Sequence, residues 1–120
     1  MSVIKPILSA MSPVLAVNDL QVALDHYRDV LGFEVTWTWG DPASRAGVAR
    51  DGFELQLAAQ YGPPGTSVVY FQVNRVDDYY QRCLHRGASI EHELADRPWL
   101  MRDFRVLDPS GNKLGFGQPN

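Results

Sequence analysis

Three tryptophans are the side chains best equipped for recognition chemistry in this chain: Trp37, Trp39 and Trp99. Trp99 follows Pro98 just ahead of a β-like run, so it is a rigid apolar plate with one hydrogen-bond donor, suited to stacking on a flat ligand. The same residue would serve equally as a buried anchor for its loop. Trp37 and Trp39 alternate with Thr36 and Thr38, which points both rings to one face of a strand, as groove walls or as core beneath a helix. Reactive chemistry has thinner support. His26, His85 and His92 show no metal-ligand spacing, and His26 and His85 fall off the apolar stripes of their helices, where they are expected to be exposed. Cys83 takes an apolar helical position without a flanking base to activate it. Glu54, Glu91, Glu93, Asp96 and Asp103 either supply local negative potential or are ordinary solvated carboxylates. Arg102 and Asp103 are neighbours in a strand, so only one faces any groove, and Asp103 is the expected one.

These residues sit in a pattern that runs twice. Leu20, Ala23, Leu24, Tyr27, Val30 and Leu31 recur at helical spacing between an Asp19 cap and a Gly32 stop. Val76, Tyr79, Tyr80, Cys83 and Leu84 do the same between Asn74, read as the cap, and Gly87. The two cap-to-glycine intervals are equal. A β-like run precedes each helix, Pro13 to Val17 and Ser67 to Val73. Three follow each: Glu34 to Trp39, Ala46 to Arg50 and Phe53 to Ala59, then Ser89 to Leu94, Arg102 to Leu107 and Lys113 to Gly117. The prediction is an α+β fold of two tandem βαβββ modules forming a cupped mixed sheet, in one domain covering 1–120. Module one spans about 12–59, a linker 60–65, module two about 66–118, and an N-terminal arm 1–11. An ordinary α+β domain with two matching helices is the competing interpretation.

Composition excludes several partners. A formal charge of -3 argues against nucleic acid, which demands clustered Lys and Arg. No apolar run approaches the roughly 18 residues of a membrane span. A single cysteine rules out an internal disulfide, and the first residues lack the apolar core of a signal peptide, so the expected compartment is the cytoplasm.

Alternation assigns the strand faces. Phe53, Leu55 and Leu57 should face the helices, leaving Glu54, Gln56 and Ala58 on the cup side. Leu114 and Phe116 are likewise helix-facing, so Gly115 and Gly117 lie on the cup floor, where a missing side chain makes room for a ligand or marks a bulge. Val68, Tyr70 and Gln72 share the cup side of one strand, and Ser12, Val14 and Ala16 that of another. This lining is small, weakly polar and partly aromatic, which suits holding a planar molecule better than moving protons.

Ser9 to Asp19, Tyr27-Arg28-Asp29-Val30-Leu31-Gly32-Phe33, Pro98-Trp99 and Asp108-Pro109-Ser110-Gly111-Asn112 together resemble the vicinal oxygen chelate superfamily, and within it the bleomycin resistance proteins. The match runs from about Ser9 to Gln118. Metal-dependent members hold a divalent ion with His, Gln or Glu, and carrying those positions over gives Ser12, Gln56, Val68 and Gly115. Only Gln56 is a donor of that kind, so the resemblance implies a cavity without metal or other cofactor. It further implies that Trp37, Trp39 and Trp99 belong to a groove in which rings sandwich the flat tail of an antibiotic, with Gln56, Tyr70, Asp103 and Gly115 beside them. The residue after that Pro-Trp pair is usually Gly in the family; here it is Leu100. Family members that bind these cationic drugs are strongly acidic, and this chain is only modestly so.

The partners implied are a small-molecule, antibiotic-like ligand and a second copy of the chain, because the family's groove is shared between two subunits. The segment Met1 to Ala10, with apolar Val3, Ile4, Ile7 and Leu8, either crosses to that partner or frays. The resemblance implies, as the leading function, metal-free sequestration of an aromatic, cationic glycopeptide antibiotic of the bleomycin type in a groove at the dimer interface. A lyase, isomerase or dioxygenase working through Gln56, Glu54 or Asp103, and a sensor of another small molecule, are the alternatives.

Overall fold

A computed structural model describes residues 4–120. Module one runs β1 (Val14–Val17), α1 (Leu20–Asp29), β2 (Glu34–Gly40), β3 (Ala43–Arg50) and β4 (Phe53–Ala59). Module two repeats it as β5 (Val68–Gln72), α2 (Val76–His85), β6 (Ser89–Asp96), β7 (Met101–Leu107) and β8 (Lys113–Pro119). Each module folds into a mixed four-stranded sheet, ordered β1-β4-β3-β2 and β5-β8-β7-β6. The β1–β4 and β5–β8 pairs are parallel, and the remaining pairs antiparallel. Val3, part of the apolar N-terminal segment, lies outside the described residues.

The helices form where periodicity and stop signals place them, but they are capped differently. Asp19 caps α1 by accepting from Val22 N at 3.0 Å. Asn74 does not cap α2; the boundary residue is Arg75, which makes no side-chain cap. Gln118, from the end of β8, accepts from Val76 N at 2.8 Å instead. An orphan helix N–H takes whichever acceptor the fold delivers, and here a distant strand delivers it. Gly32 (φ 79°) and Gly87 (φ 86°) end the helices in left-handed backbone that residues with a Cβ avoid.

Both helices bury their apolar stripes on their own sheets, and the two cores are continuous. Tyr27, Leu31, Leu55 and Leu57 are fully enclosed in module one, as are Cys83, Phe104, Val106 and Phe116 in module two. Phe33 meets Phe71 across the seam at 5.9 Å, and Tyr79 Oη donates to Leu31 O at 2.6 Å. Burial pushes the Cys83 thiol up to about 11, so it stays protonated as an inert core group. Two assigned faces change. Phe53 is 67% exposed, because it stands at the hairpin end of β4, beside the Asp51-Gly52 turn. His26 is half-buried, its ring edge-on to Tyr27 at 5.4 Å, and both its nitrogens are enclosed without a partner.

The Asp108-to-Asn112 turn fastens one module to the other. Asp108 is 4% exposed, and its carboxylate accepts from Tyr27 Oη (2.8 Å), Asn112 Nδ2 (2.9 Å), and the backbone N–H groups of Ser110 and Asn112 (both 2.9 Å). Asn112, fully buried, donates to Ala16 O of β1 at 2.9 Å and accepts from Ser67 N at 3.1 Å. Ser110 Oγ accepts from Asn18 N at 2.9 Å. A buried carboxylate is tolerable only when its lone pairs are filled, and four donors fill them here. No helix among the described residues is long and apolar enough to cross a membrane.

Candidate functional site

Because the helices cover one face of each sheet, the opposite faces remain open, and each carries a hollow lined by residues of its own module, joined in module one by Gln60 and Tyr61 of the linker. In module one, β2 bulges between Val35 and Trp37, which sets Trp37 opposite Gly47 of β3. The indole lies flat on that glycine, so closely that a Cβ at position 47 would collide with Nε1. Trp39, 69% exposed, stands farther along the same hollow, with Gln56 and Ala58 on its floor. Tyr61 closes one side, with the Arg45 guanidinium 4.9 Å above its ring. Neither Trp37 nor Trp39 is core.

Module two uses the same device. The Tyr70 ring lies on Gly115, where a Cβ would meet its Cδ2 at 2.8 Å, and its hydroxyl reaches over Gly117. None of these three floor glycines has a positive φ, so space and not backbone conformation requires them. The bare floor expected at Gly115 and Gly117 is therefore filled by the chain's own aromatic ring. Tyr70 Oη donates to Asp103 Oδ2 at 2.9 Å, and Arg97 Nε donates to Asp103 Oδ1 at 2.8 Å. Partial burial first, then the Asp103 carboxylate, push the Tyr70 hydroxyl up to about 12, so it remains a donor near neutrality. Asp103 faces this hollow, 8% exposed, while Arg102 points the other way to Asp77 and Asp96. Trp99, 64% exposed, stands on the rim and is no buried anchor.

Charge is mostly cancelled. Asp103 pairs with Arg97, Glu91 with Arg105 and Asp96 with Arg102, and Glu54 accepts from Ser12 Oγ at 2.9 Å. Of the five carboxylates singled out, three are thus ion-paired, while Glu54 keeps its charge beside a neutral hydroxyl and Glu93 lines the module-two hollow. Three contributors were not expected from the sequence: Tyr61, which falls in the linker, Gly47 and Arg97. Gly47 had a signal, a glycine inside a strand opposite a tryptophan. Arg97 had none, since its partner depends on how the β6–β7 hairpin closes.

A divalent ion finds no fitting donor set. Across the parallel pairs, Gln56 faces Val14 and not Ser12, which lies ahead of β1, and Gly115 faces Tyr70 and not Val68, which pairs with Lys113. Valine and glycine offer no side-chain donor, and Gln56 stands without a second ligand beside it. Among the described residues, no group of three or more His, Cys, Asp or Glu is placed to hold a metal.

The chain is similar to several known proteins. A bleomycin resistance protein from Geobacillus stearothermophilus is 26% identical over 129 residues, covering 88% of this chain and 93% of its own. An uncharacterised protein of Mycobacterium tuberculosis is 29% identical, covering 92% of this chain and 74% of its own. Among solved structures, TnmS3, an antibiotic binding protein from Streptomyces sp. CB03234, superposes with a TM-score of 0.78 at 25% identity, covering 96% of this chain and all (100%) of that one. The family model of the Glyoxalase/Bleomycin resistance protein/Dioxygenase superfamily matches residues 8–116, and the chain belongs to that superfamily.

Proposed function

We propose that this protein binds and sequesters an aromatic antibiotic of the bleomycin type, stoichiometrically and without turnover, in a groove at a homodimer interface. One observation carries the reading: each hollow is floored by an aromatic ring lying on glycine, Trp37 on Gly47 and Tyr70 on Gly115. Such a floor offers flat apolar area and few polar groups, which favours a planar guest. Each hollow is only one wall, so a complete groove needs module one of one copy against module two of another. Ile4, Ile7, Leu8 and Met11 of the N-terminal segment are exposed, and a second copy would cover them. The bleomycin resistance protein and the antibiotic binding protein among the relatives support the ligand class.

Titration with bleomycin is expected to quench tryptophan fluorescence at about one ligand per subunit. Trp99→Ala should weaken binding about tenfold, the loss of one stacked ring worth roughly 1.4 kcal/mol. Fluorescence unchanged by bleomycin overturns the reading.

A further inference from the structure

The loop that carries Trp99 is held in a conformation its own sequence opposes. Leu100 has φ 67°, left-handed backbone that a residue with a Cβ adopts only at a cost. Packing does not offset that cost, because the leucine side chain is 72% exposed. The conformation persists because its surroundings over-determine it. Arg97 N donates to Met101 O at 2.7 Å, Leu100 N to Arg97 O at 3.1 Å, and Asn120 N to Leu100 O at 2.9 Å. The Arg97 guanidinium adds bonds to Glu93 O at 2.6 Å and Asp103 Oδ1 at 2.8 Å. Two large apolar side chains on this hydrogen-bonded loop are thus exposed to solvent: Trp99, which lines the module-two hollow, and Leu100, the next residue in the chain.

We infer that Leu100 is a specificity-determining residue, which with Trp99 forms an apolar jaw closing on the edge of the aromatic ligand. A glycine would relax the backbone but leave Trp99 as a lone plate. The strained leucine adds a second contact at right angles in chemistry to the first, aliphatic where the other is aromatic, and selects ligands whose ring carries apolar bulk at its edge. This rests on the antibiotic-binding reading, and the experiment separates the two.

Bleomycin is titrated into the wild-type protein and into Leu100→Gly, Leu100→Ala and Trp99→Ala, with thermal unfolding and solution mass measured for each. Both Leu100 variants should bind bleomycin about tenfold more weakly at unchanged solution mass, from the loss of most of one leucine contact. Leu100→Gly should also raise Tm by about 4 °C through relief of the backbone, and Leu100→Ala should not. Wild-type affinity in both Leu100 variants, with weakened binding in Trp99→Ala, overturns the role of Leu100 and leaves the groove intact. A fall in Tm for Leu100→Gly, or a changed solution mass, also overturns it, since the leucine would then be packing. Absence of bleomycin binding by the wild-type protein, or an affinity indifferent to Trp99→Ala, brings down the groove reading and this inference together.

Discussion

Removing one hydroxyl from the core should loosen the hold of one module on the other. Tyr27 is fully buried on α1, and its hydroxyl donates at 2.8 Å to Asp108, which is 4% exposed at the β7–β8 turn. Burial first, then the Asp108 charge, raise the Tyr27 pKa well above its ordinary value, so the hydroxyl is a donor at any working pH. Tyr27→Phe deletes that donor and little volume. Asp108 Oδ2 keeps Asn112 Nδ2 at 2.9 Å, and Oδ1 keeps two backbone donors, so the carboxylate is left short of one bond out of four. A hydrogen bond to a charged group contributes about 1.5–3 kcal/mol, and water cannot readily replace it at so enclosed a site, which gives about 2 kcal/mol lost. With a urea m-value of about 2 kcal/mol/M, the midpoint falls by about 1 M. Urea unfolding at pH 7, followed by far-UV circular dichroism, reads this directly. A double-mutant cycle with Asp108→Asn should return a coupling of at least about 1 kcal/mol. A Tyr27→Phe midpoint within about 0.2 M of wild type would refute the clasp as a source of stability.

The floor glycines and the enclosed histidine give the remaining predictions. Gly47→Ala should drive the Trp37 indole off β3, seen as a red shift in tryptophan emission and weaker quenching by bleomycin, because the added Cβ collides with the ring. Gly117→Ala should expel the Tyr70 hydroxyl and crowd Asp103 Cβ at 2.8 Å, costing about 1–3 kcal/mol. Ultraviolet titration should then show the Tyr70 pKa returning from about 12 toward 10. Burial lowers the pKa of His26 below the ordinary 6.5, and the Asp108 charge only partly offsets that. Below pH 6.5 the unfolded chain therefore takes the proton first, so stability should fall on acidification, with a slope that His26→Gln removes in urea midpoints measured from pH 7 to 5.

Much of this was legible in the sequence because it depends on short-range periodicity. The helical stripes around Tyr27 and Tyr79, the glycine stops and the alternation that put Gln56, Tyr70 and Gly115 on the open faces are all set by residues within a turn or two. Tertiary partners were not legible. Gln118 displaced Asn74 as the cap of α2 from 42 residues away. Phe53 obeyed alternation in β4 yet lies at a sheet end. His26 sits beside the apolar stripe of α1, yet both its nitrogens are enclosed, which helical periodicity alone does not reveal. Alternation named Gly115 and Gly117 as floor but could not say that Tyr70, on the neighbouring strand, would lie across them.

The repeat of one device in both modules constrains how such a site acquires a ligand. An aromatic ring on glycine supplies area that is already desolvated on one side and fixed in orientation, so little side-chain entropy remains to be lost when a planar guest arrives. The charge term is reduced beside it, since Arg97, Arg105 and Arg102 already neutralise Asp103, Glu91 and Asp96. Affinity built this way depends on ring overlap and varies little with salt, whereas a groove relying on charge would weaken as salt rises. Under the proposed function, each half-site is a single wall, and pairing two copies through a two-fold axis would enclose the guest between rings contributed by both modules.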